Sequence, residues 1–303
     1  MSTIDIRKTN GLIAATFTPF GADGNINTRV VPAYAEHLRA QGVTGVFVNG
    51  TTGEGLSLSL AEREALAEAW KSARGNLKLF VHVGHNALPD ARRLAAHAES
   101  IGADAIAAVA PSFFKPGLDA LVEWCAAVAS AAPRTPFYLY HMPSMSGVNV
   151  PMAAFLRSAA PRIPTLAGIK FTYENLMDYM EALQFDGGRF DVLFGRDEIL
   201  LAAMALGARG AVGSTYNYAA PIYLETIRAF GDGDLIAAQR AQSRAQALVD
   251  ILVDSGDGIV CGKAMMPLLT GIDCGPVRSP LANFGPDKLA WLAARVASWT
   301  ATP

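Results

Sequence analysis

The chain has 303 residues, of which 51% are hydrophobic, and its formal net charge of −2 disfavours a nucleic-acid partner. No apolar run approaches the roughly 18–20 residues that a membrane span requires, so no membrane partner is expected. The charged segment 1–10 predicts no secretory signal, and three cysteines without metal-ligand spacing indicate reduced thiols in a cytoplasmic protein.

Short apolar runs alternate with amphipathic stretches along most of the chain. The runs predict eight strands, at 12–16, 46–48, 79–83, 105–109, 137–140, 166–170, 192–194 and 211–213. The stretches between them, such as 30–41, 59–73 and 118–132, predict helices, and Ser59 with Glu62 forms a capping box at the start of one. Eight strands alternating with helices predict an α/β fold, a (β/α)₈ TIM barrel.

The eighth unit ends near residue 230, and about 70 residues follow it in the sequence. Segments 234–253, 260–269 and 286–299 are predicted helices, and no Pro/Ser-rich linker precedes them. We therefore expect a barrel over 1–230 that carries the active site, and a C-terminal helical extension over 231–303 that packs on the barrel.

A glycine-rich loop, 50–55, follows the second predicted strand. Active sites of such barrels lie where strands end and βα loops begin. The glycines allow close approach of the backbone to a ligand, and the hydroxyls of Thr51 and Thr52 lie between them. With its amides pointing inward, the loop predicts a cradle for a carboxylate, although the spacing alone fits a plain βα turn equally well. It lacks the ending of a phosphate-binding P-loop.

Lys170 ends the sixth predicted strand, which is otherwise apolar. A lysine at the inner rim of a barrel lies in a low dielectric, which lowers the pKa of its amine. A neutral amine can attack a ketone, and the resulting iminium accepts electrons when a carbon–carbon bond breaks. The alternative is a lysine that reaches solvent from the strand end.

Tyr140 ends the fifth predicted strand, where its phenol could transfer protons during imine chemistry. A tyrosine in an apolar strand is, however, more often a packing residue. Asp197 and Glu198 follow the seventh strand and could bind several hydroxyls of a polyol or cap the next helix. Thr172 and Ser214 have the same two interpretations.

The five histidines show no metal-ligand spacing, so they are interpreted as structural or surface residues and no metal is expected. Motifs of serine hydrolases and of dinucleotide-binding folds are absent from the sequence. No organic cofactor is expected either, because an iminium at Lys170 would itself accept the electrons.

The loop 50–55, Tyr140 and the segment 168–172 follow one another at predicted strand ends. As a set they resemble the dihydrodipicolinate synthase/N-acetylneuraminate lyase superfamily, and the resemblance covers nearly the whole chain. Segments 138–147, 193–198 and 210–217 are most similar to the N-acetylneuraminate lyases within it. The resemblance implies a class I aldolase that cleaves a sugar acid, N-acetylneuraminate, reversibly to pyruvate and N-acetylmannosamine, usually as a homotetramer.

The resemblance also implies a role for each matching residue. Lys170 would form the Schiff base, and Tyr140 would move protons near the pyruvyl carboxylate. Thr51 and Thr52 would bind that carboxylate. The hydroxyls of the sugar tail would be held by Thr172, Gly195, Asp197, Glu198 and Ser214.

Three positions depart from the patterns of relatives. Met145 stands where dihydrodipicolinate synthases usually carry an arginine, and a thioether cannot bind a carboxylate as a guanidinium does, so that activity is disfavoured. Phe113 and Phe114 occupy the stretch where many members place a tyrosine of the proton relay. Either another group completes the relay or aromatic packing seals the site. Arg196, inside the tail-binding loop, would select an acidic substrate or face solvent.

Two other functions stay open at this point. One is another pyruvate-dependent aldolase or dehydratase acting on a 2-keto-3-deoxy sugar acid, which would keep Lys170 and Tyr140. The other is a catalytically silent sugar-acid binder, which the presence of both residues disfavours. The fold alone cannot decide among these functions.

Overall fold

The computed structural model describes residues 4–301 as a closed barrel of eight parallel strands in sequential order. The last strand pairs with the first, so the sheet has no open edge. The strands are β1 Gly11–Ala15, β2 Gly45–Val48, β3 Lys78–His82, β4 Ala105–Val109, β5 Phe137–His141, β6 Leu166–Phe171, β7 Asp191–Phe194 and β8 Gly210–Gly213. The predicted fold class is confirmed, and each predicted strand end lies within one residue of the observed one.

Helices follow the strands and surround the barrel. They are α1 Val31–Ala40, α2 Leu60–Ala73, α3 Leu88–Ser100, α4 Leu118–Ala129, α5 Pro143–Ser146, α6 Met152–Ala159, α7 Leu176–Gly188, α8 Leu200–Ala205, α9 Tyr216–Gly231, α10 Leu235–Asp254, α11 Gly258–Thr270 and α12 Pro286–Thr300. Short 3₁₀ helices lie at Thr28–Val30, Gly55–Ser57 and Asp197–Ile199. The predicted capping box is confirmed, because Ser59 and Glu62 each accept the other's backbone N–H through their side chains.

Apolar side chains form two separate cores. In β5, Phe137 and Leu139 belong to the large core beneath the helices, whereas Tyr138 and Tyr140 belong to a smaller cluster with Phe47. This division follows from the alternation of side chains along a strand, one set pointing to the helices and the other into the barrel. The barrel interior is therefore filled by side chains, and a site for a ligand is expected at the carboxyl end of the strands.

The three helices predicted after the eighth unit are confirmed as α10, α11 and α12, with ends shifted by at most two residues. Gln242 on α10 donates to the carbonyls of Asp197 and Glu198, at 3.2 and 3.0 Å, and so supports the loop after β7. The division into a barrel over 1–230 and an extension over 231–303 stays a prediction. Across residues 4–301, no helix is long and apolar enough to cross a membrane.

Candidate active site

A cavity of about 510 Å³ lies at the carboxyl end of the barrel, within the size range of small-molecule sites. Its walls come from the loops after several strands, as expected for this fold. It is lined by all nine residues singled out in the sequence: Thr51, Thr52, Tyr140, Lys170, Thr172, Gly195, Asp197, Glu198 and Ser214.

Lys170 lies at the floor of this cavity and is 4% exposed. Its Nζ is 4.0 Å from the ring centroid of Phe47 and 3.8 Å from that of Tyr140. Ring faces replace only part of the water that an ammonium ion loses on burial. Burial therefore lowers the pKa of Lys170 to about 7, although the nearby Asp197 carboxylate opposes this shift. The alternative of a lysine that reaches solvent is wrong, and a substantial neutral fraction exists at neutral pH.

Tyr140 is the partner of Lys170 in the β5–β6 register, so the two side chains stand side by side. Its hydroxyl lies 3.2 Å from the Thr51 Oγ1 and donates to the Met142 sulfur at 2.9 Å. Burial raises the pKa of Tyr140 to about 12, and the hydrogen bond with Thr51 offsets part of that rise. The phenol is thus protonated at neutral pH, next to a hydroxyl with which it can exchange a proton.

The loop 50–55 is tightly constrained. A Cβ at Gly55 would lie 1.9 Å from the Asn49 carbonyl oxygen, and one at Gly53 would lie 2.9 Å from the Thr16 carbonyl oxygen. The expectation that the loop amides all point inward is wrong for two of them. The N–H of Glu54 bonds to the Thr51 carbonyl and that of Gly55 to the Gly50 carbonyl, because the loop turns sharply there. A ligand would thus meet the Thr51–Thr52 side of the loop.

Asp197 is 5% exposed, and its Oδ2 accepts hydrogen bonds from the N–H and the hydroxyl of Thr215, at 3.0 and 2.6 Å. It makes no capping hydrogen bond to α8, although Asp197 and Glu198 both lie in the first turn of the 3₁₀ helix Asp197–Ile199, where an acidic side chain is favourable. Burial raises its pKa to about 6, and the two bonds from Thr215 oppose the rise. A Cβ at Gly213 would lie 1.9 Å from the Asp197 Oδ1, which explains why β8 ends in glycine.

Three buried polar atoms on cavity-lining residues make no hydrogen bond within residues 4–301. They are the Thr172 Oγ1, the Asp197 Oδ1 and the Arg196 Nε. Gly195 leaves room for the Thr172 Oγ1, since a Cβ at position 195 would lie 2.1 Å from that oxygen. Buried polar groups without a partner are rare, so three of them around one cavity indicate a site for a polar ligand.

Arg196 neither faces open solvent nor leaves its charge unpaired. Its side chain is 30% exposed, and its guanidinium donates to Glu174 at 2.6 Å and to the Glu198 Oε1 at 3.3 Å. Glu198 therefore has one oxygen engaged by Arg196 and is held at the cavity rim. Selection of an acidic substrate is not favoured, because two carboxylates already neutralise this cation.

The stretch after β4 does not cover the site within one chain. Phe113 and Phe114 are 83% and 89% exposed, and neither lines the cavity. Sealing of the site by aromatic packing is therefore wrong for the single chain. Met145 is 62% exposed and lines the cavity, so the position that would carry a carboxylate-binding arginine is apolar.

His82 and His141 are both buried, as a structural interpretation requires. His82 accepts the Val109 N–H on its Nε2, and its Nδ1 lies 3.0 Å from the Asn49 carbonyl. Burial lowers the pKa of His82 well below its usual value and that of His141 to about 4. Among the described residues, no three His, Cys, Asp or Glu side chains are grouped as metal ligands would be.

Thr215 was not singled out in the sequence, although it fixes the buried carboxylate of Asp197. Its position next to Ser214 at the end of a strand was the only available signal. Asn217 was also missed: its amide donates to the carbonyls of Ala15 and Ser214, both at 2.7 Å, and so ties the β8 loop to β1.

Residues 8–298 match the model of the dihydrodipicolinate synthetase family. The chain is 47% identical to the N-acetylneuraminate lyase of Xenopus tropicalis, over 91% of both chains. It is 43% identical to that of Homo sapiens, over 91% of this chain and 88% of the relative. The structure of Proteus mirabilis N-acetylneuraminate lyase superposes with a TM-score of 0.94 at 43% identity, over 97% of this chain and 99% of that one.

Proposed function

Since the chain belongs to the dihydrodipicolinate synthetase family, we propose that it is a class I aldolase that cleaves N-acetylneuraminate reversibly to pyruvate and N-acetylmannosamine. The observation that carries this proposal is the buried Lys170 amine beside the Tyr140 phenol, at the floor of a cavity with a polar wall. The similar proteins named N-acetylneuraminate lyase support the choice of substrate.

The reaction begins when the neutral amine of Lys170 attacks the 2-oxo carbon of the open-chain sugar acid. The Tyr140 hydroxyl gives its proton to the departing hydroxide, so that loss of water leaves an iminium between the lysine nitrogen and that carbon and a phenolate at Tyr140. The substrate carboxylate lies against Thr51 and Thr52, whose loop is fixed by its own hydrogen bonds. The low pKa of Lys170 supplies the neutral nucleophile without a separate base.

Cleavage follows when the 4-hydroxyl passes its proton, through the substrate carboxylate, to the Tyr140 phenolate left by the loss of water. The C3–C4 electron pair moves into the iminium, so the released fragment is an aldehyde and the bound fragment is the enamine of pyruvate. Protonation of the enamine carbon and hydrolysis of the imine then release pyruvate and restore Lys170. Tyr140 is suited to this exchange because its hydroxyl already shares a hydrogen bond with Thr51.

The hydroxyls of the sugar tail would meet Thr172, Gly195, Asp197, Glu198 and Ser214. A substrate hydroxyl can donate to the unpartnered Asp197 Oδ1, and another can pair with the Thr172 hydroxyl. Glu198 keeps its Oε2 for the ligand because Arg196 holds its Oε1.

The rate of imine formation with pyruvate is expected to fall about tenfold for each pH unit below 7, because protonation removes the nucleophile. Above that pH the rate levels off, whereas a lysine with a pKa of 10.5 would still gain rate at pH 9. The measurement is a brief incubation with pyruvate at each pH, followed by a borohydride quench at one common pH and mass spectrometry. Because the Asp197 carboxylate raises the pKa of Lys170, Asp197→Asn is expected to shift the inflection to lower pH; a profile that rises steadily to pH 10 would contradict the assignment.

Replacing Arg196 by alanine is expected to raise the KM for N-acetylneuraminate up to about fivefold, since a partly exposed ion pair contributes little but here orients Glu198. Imine formation with pyruvate should be unchanged, because pyruvate has no sugar tail. Steady-state kinetics and borohydride trapping measure the two effects. Arg189→Ala, which removes the surface pair of Arg189 with Asp186, is the matched control. If Arg196→Ala impaired imine formation with pyruvate as much as it impaired the use of N-acetylneuraminate, an orienting role for Arg196 would be contradicted.

The proposal is tested by the release of pyruvate from N-acetylneuraminate, followed with a lactate dehydrogenase couple. Turnover that also occurs in the reverse direction, from pyruvate and N-acetylmannosamine, would support the full assignment. If pyruvate forms a reducible adduct but N-acetylneuraminate is not cleaved, the substrate is another 2-keto-3-deoxy sugar acid. If no adduct forms, the chain is a silent binder.

The proposal also covers the location and the oligomeric state of the chain. The chain would be a cytoplasmic homotetramer, as the resemblance implies. The exposed Phe113 and Phe114 support burial against another subunit, because two adjacent aromatic side chains would otherwise stay in water. Sedimentation analysis of the wild type, with Phe113→Ser as comparison, would test the stoichiometry; a monomer at micromolar concentration would contradict it.

A further inference from the structure

A buried ion pair connects the C-terminal helices to the loop that carries Thr51 and Thr52. The Lys263 Nζ on α11 lies 2.8 Å from the Glu54 Oε1, and both side chains are 1% exposed. The other carboxylate oxygen of Glu54 accepts the backbone N–H of Arg278 at 2.7 Å. Both oxygens of one loop residue are therefore bound by the chain segment that follows α10.

Glu54 occupies a strained backbone position. Its φ of 54° and ψ of 30° are left-handed, a conformation that costs a non-glycine residue free energy and persists only where surrounding contacts hold it. Its N–H bonds to the Thr51 carbonyl at 3.0 Å, which closes the turn that contains Thr51 and Thr52. The buried side-chain contacts of Glu54 supply the restraint that this turn requires.

The segment that holds Glu54 is itself anchored at several points. Phe20, in the loop after β1, contacts both cations: the Lys263 Nζ and the Arg278 Cζ are 4.2 and 4.5 Å from its ring centroid. The guanidinium of Arg278 also donates to both oxygens of Glu62 on α2, at 2.9 and 2.7 Å, and to the Ser57 carbonyl at 3.1 Å. These contacts leave the Glu54 carboxylate little freedom to move.

Stability alone does not account for such a pair. Replacing a buried ion pair by apolar residues of similar volume is often neutral or stabilising, because both charges lose their hydration. Near a ligand site such a pair can also raise affinity. It holds the loop in place beforehand, so that binding does not bear the free-energy cost of ordering it. Thr51 also shares a hydrogen bond with Tyr140, so displacement of the turn would disturb the proposed proton path as well.

We propose that Glu54 and Lys263 are positioning residues: their ion pair lets the C-terminal helices hold Thr51 and Thr52 in the geometry that receives the carboxylate of a 2-oxo acid. This inference rests on the proposed function. Neither residue touches the substrate. The pair acts on the carboxylate end of the ligand and leaves the wall formed by Asp197 and Glu198 unaffected.

The test uses Lys263→Met, which removes the charge at similar length, and Lys263→Arg, which restores it. For Lys263→Met, we expect half-saturation of borohydride trapping on the full chain to require a roughly tenfold higher pyruvate concentration, since one buried charge loses its partner. Lys263→Arg should recover most of that loss. The KM for N-acetylmannosamine in the condensation direction should stay within about twofold, because that substrate meets the opposite wall. Arg295→Ala, which breaks the surface pair of Arg295 with Asp254 in the same extension, is the matched control.

A folded Lys263→Met with unchanged half-saturation for pyruvate would overturn the proposal, as would equal changes for pyruvate and N-acetylmannosamine, which indicate general loosening. If Lys263→Met does not fold, Glu54→Gln decides: it keeps the shape and the acceptor for the Arg278 N–H, and the same selective loss is expected in smaller measure. If Glu54→Gln shows no selective loss of pyruvate binding, the proposal is overturned. A wild type that fails to trap pyruvate would instead refute the proposed function.

Discussion

Replacing Lys170 by methionine is expected to lower turnover of N-acetylneuraminate by at least about a thousandfold, because no other group can form the iminium that stabilises cleavage. Methionine keeps the length and apolar contacts of the buried stem against Phe47 and Tyr140. Burying the amine costs free energy, so this variant should unfold at the same or a higher temperature than the wild type. Coupled pyruvate release and thermal unfolding measure the two effects.

Lys170→Arg is the control for charge. A guanidinium stays protonated and cannot form an imine, so this variant should also be inactive. If either variant kept more than a small fraction of wild-type turnover while remaining folded, the cleavage would not pass through an imine at Lys170. Methionine is the primary variant because it keeps the buried apolar contacts. Inactivity of Lys170→Arg is interpreted only where that variant is folded.

Replacing Tyr140 by phenylalanine is expected to lower turnover by about 10²–10⁴-fold, the usual contribution of a positioned proton-transfer group. The ring and its contacts with Lys170 and Phe47 remain, so pyruvate should still form an imine that borohydride traps. Rapid-mixing cleavage assays and trapping on the same preparation distinguish proton transfer from imine formation.

Tyr138→Phe is the matched control, because Tyr138 lies two residues earlier on β5 and donates to Asp191 at 2.9 Å, below the cavity. It is expected to lower the unfolding temperature while changing turnover by less than about threefold, since a buried carboxylate loses one donor far from the reaction. Similar losses of turnover in both variants would indicate that Tyr140 serves packing alone.

The barrel could be predicted from the sequence because each apolar run had the length of a strand and was followed by a segment whose apolar residues recur with helical periodicity. The candidate site could be predicted because Lys170 and Tyr140 end their strands and the loop 50–55 follows one, and strand ends of a closed parallel sheet meet at one face. These signals are local, and they were strengthened by the resemblance to a family.

The contacts that hold the site were beyond prediction because they join residues distant in sequence. Lys263 reaches Glu54 across 209 positions, and no local pattern marks either as half of an ion pair. The direction of the Glu54 and Gly55 amides depended on a left-handed turn that the sequence could not specify at a glutamate. From the sequence Asp197 could bind a hydroxyl or cap the next helix, and only the fold brings its carboxylate to the Thr215 hydroxyl, 18 positions away.

Incubation of the wild type with pyruvate, reduction with borohydride and mapping of the modified peptide by mass spectrometry identify the nucleophile directly. We expect one pyruvate-derived adduct per chain, on Lys170, with none in Lys170→Met. An adduct on another lysine, or no adduct at saturating pyruvate and neutral pH, would contradict the assignment of this buried amine as the Schiff-base nucleophile.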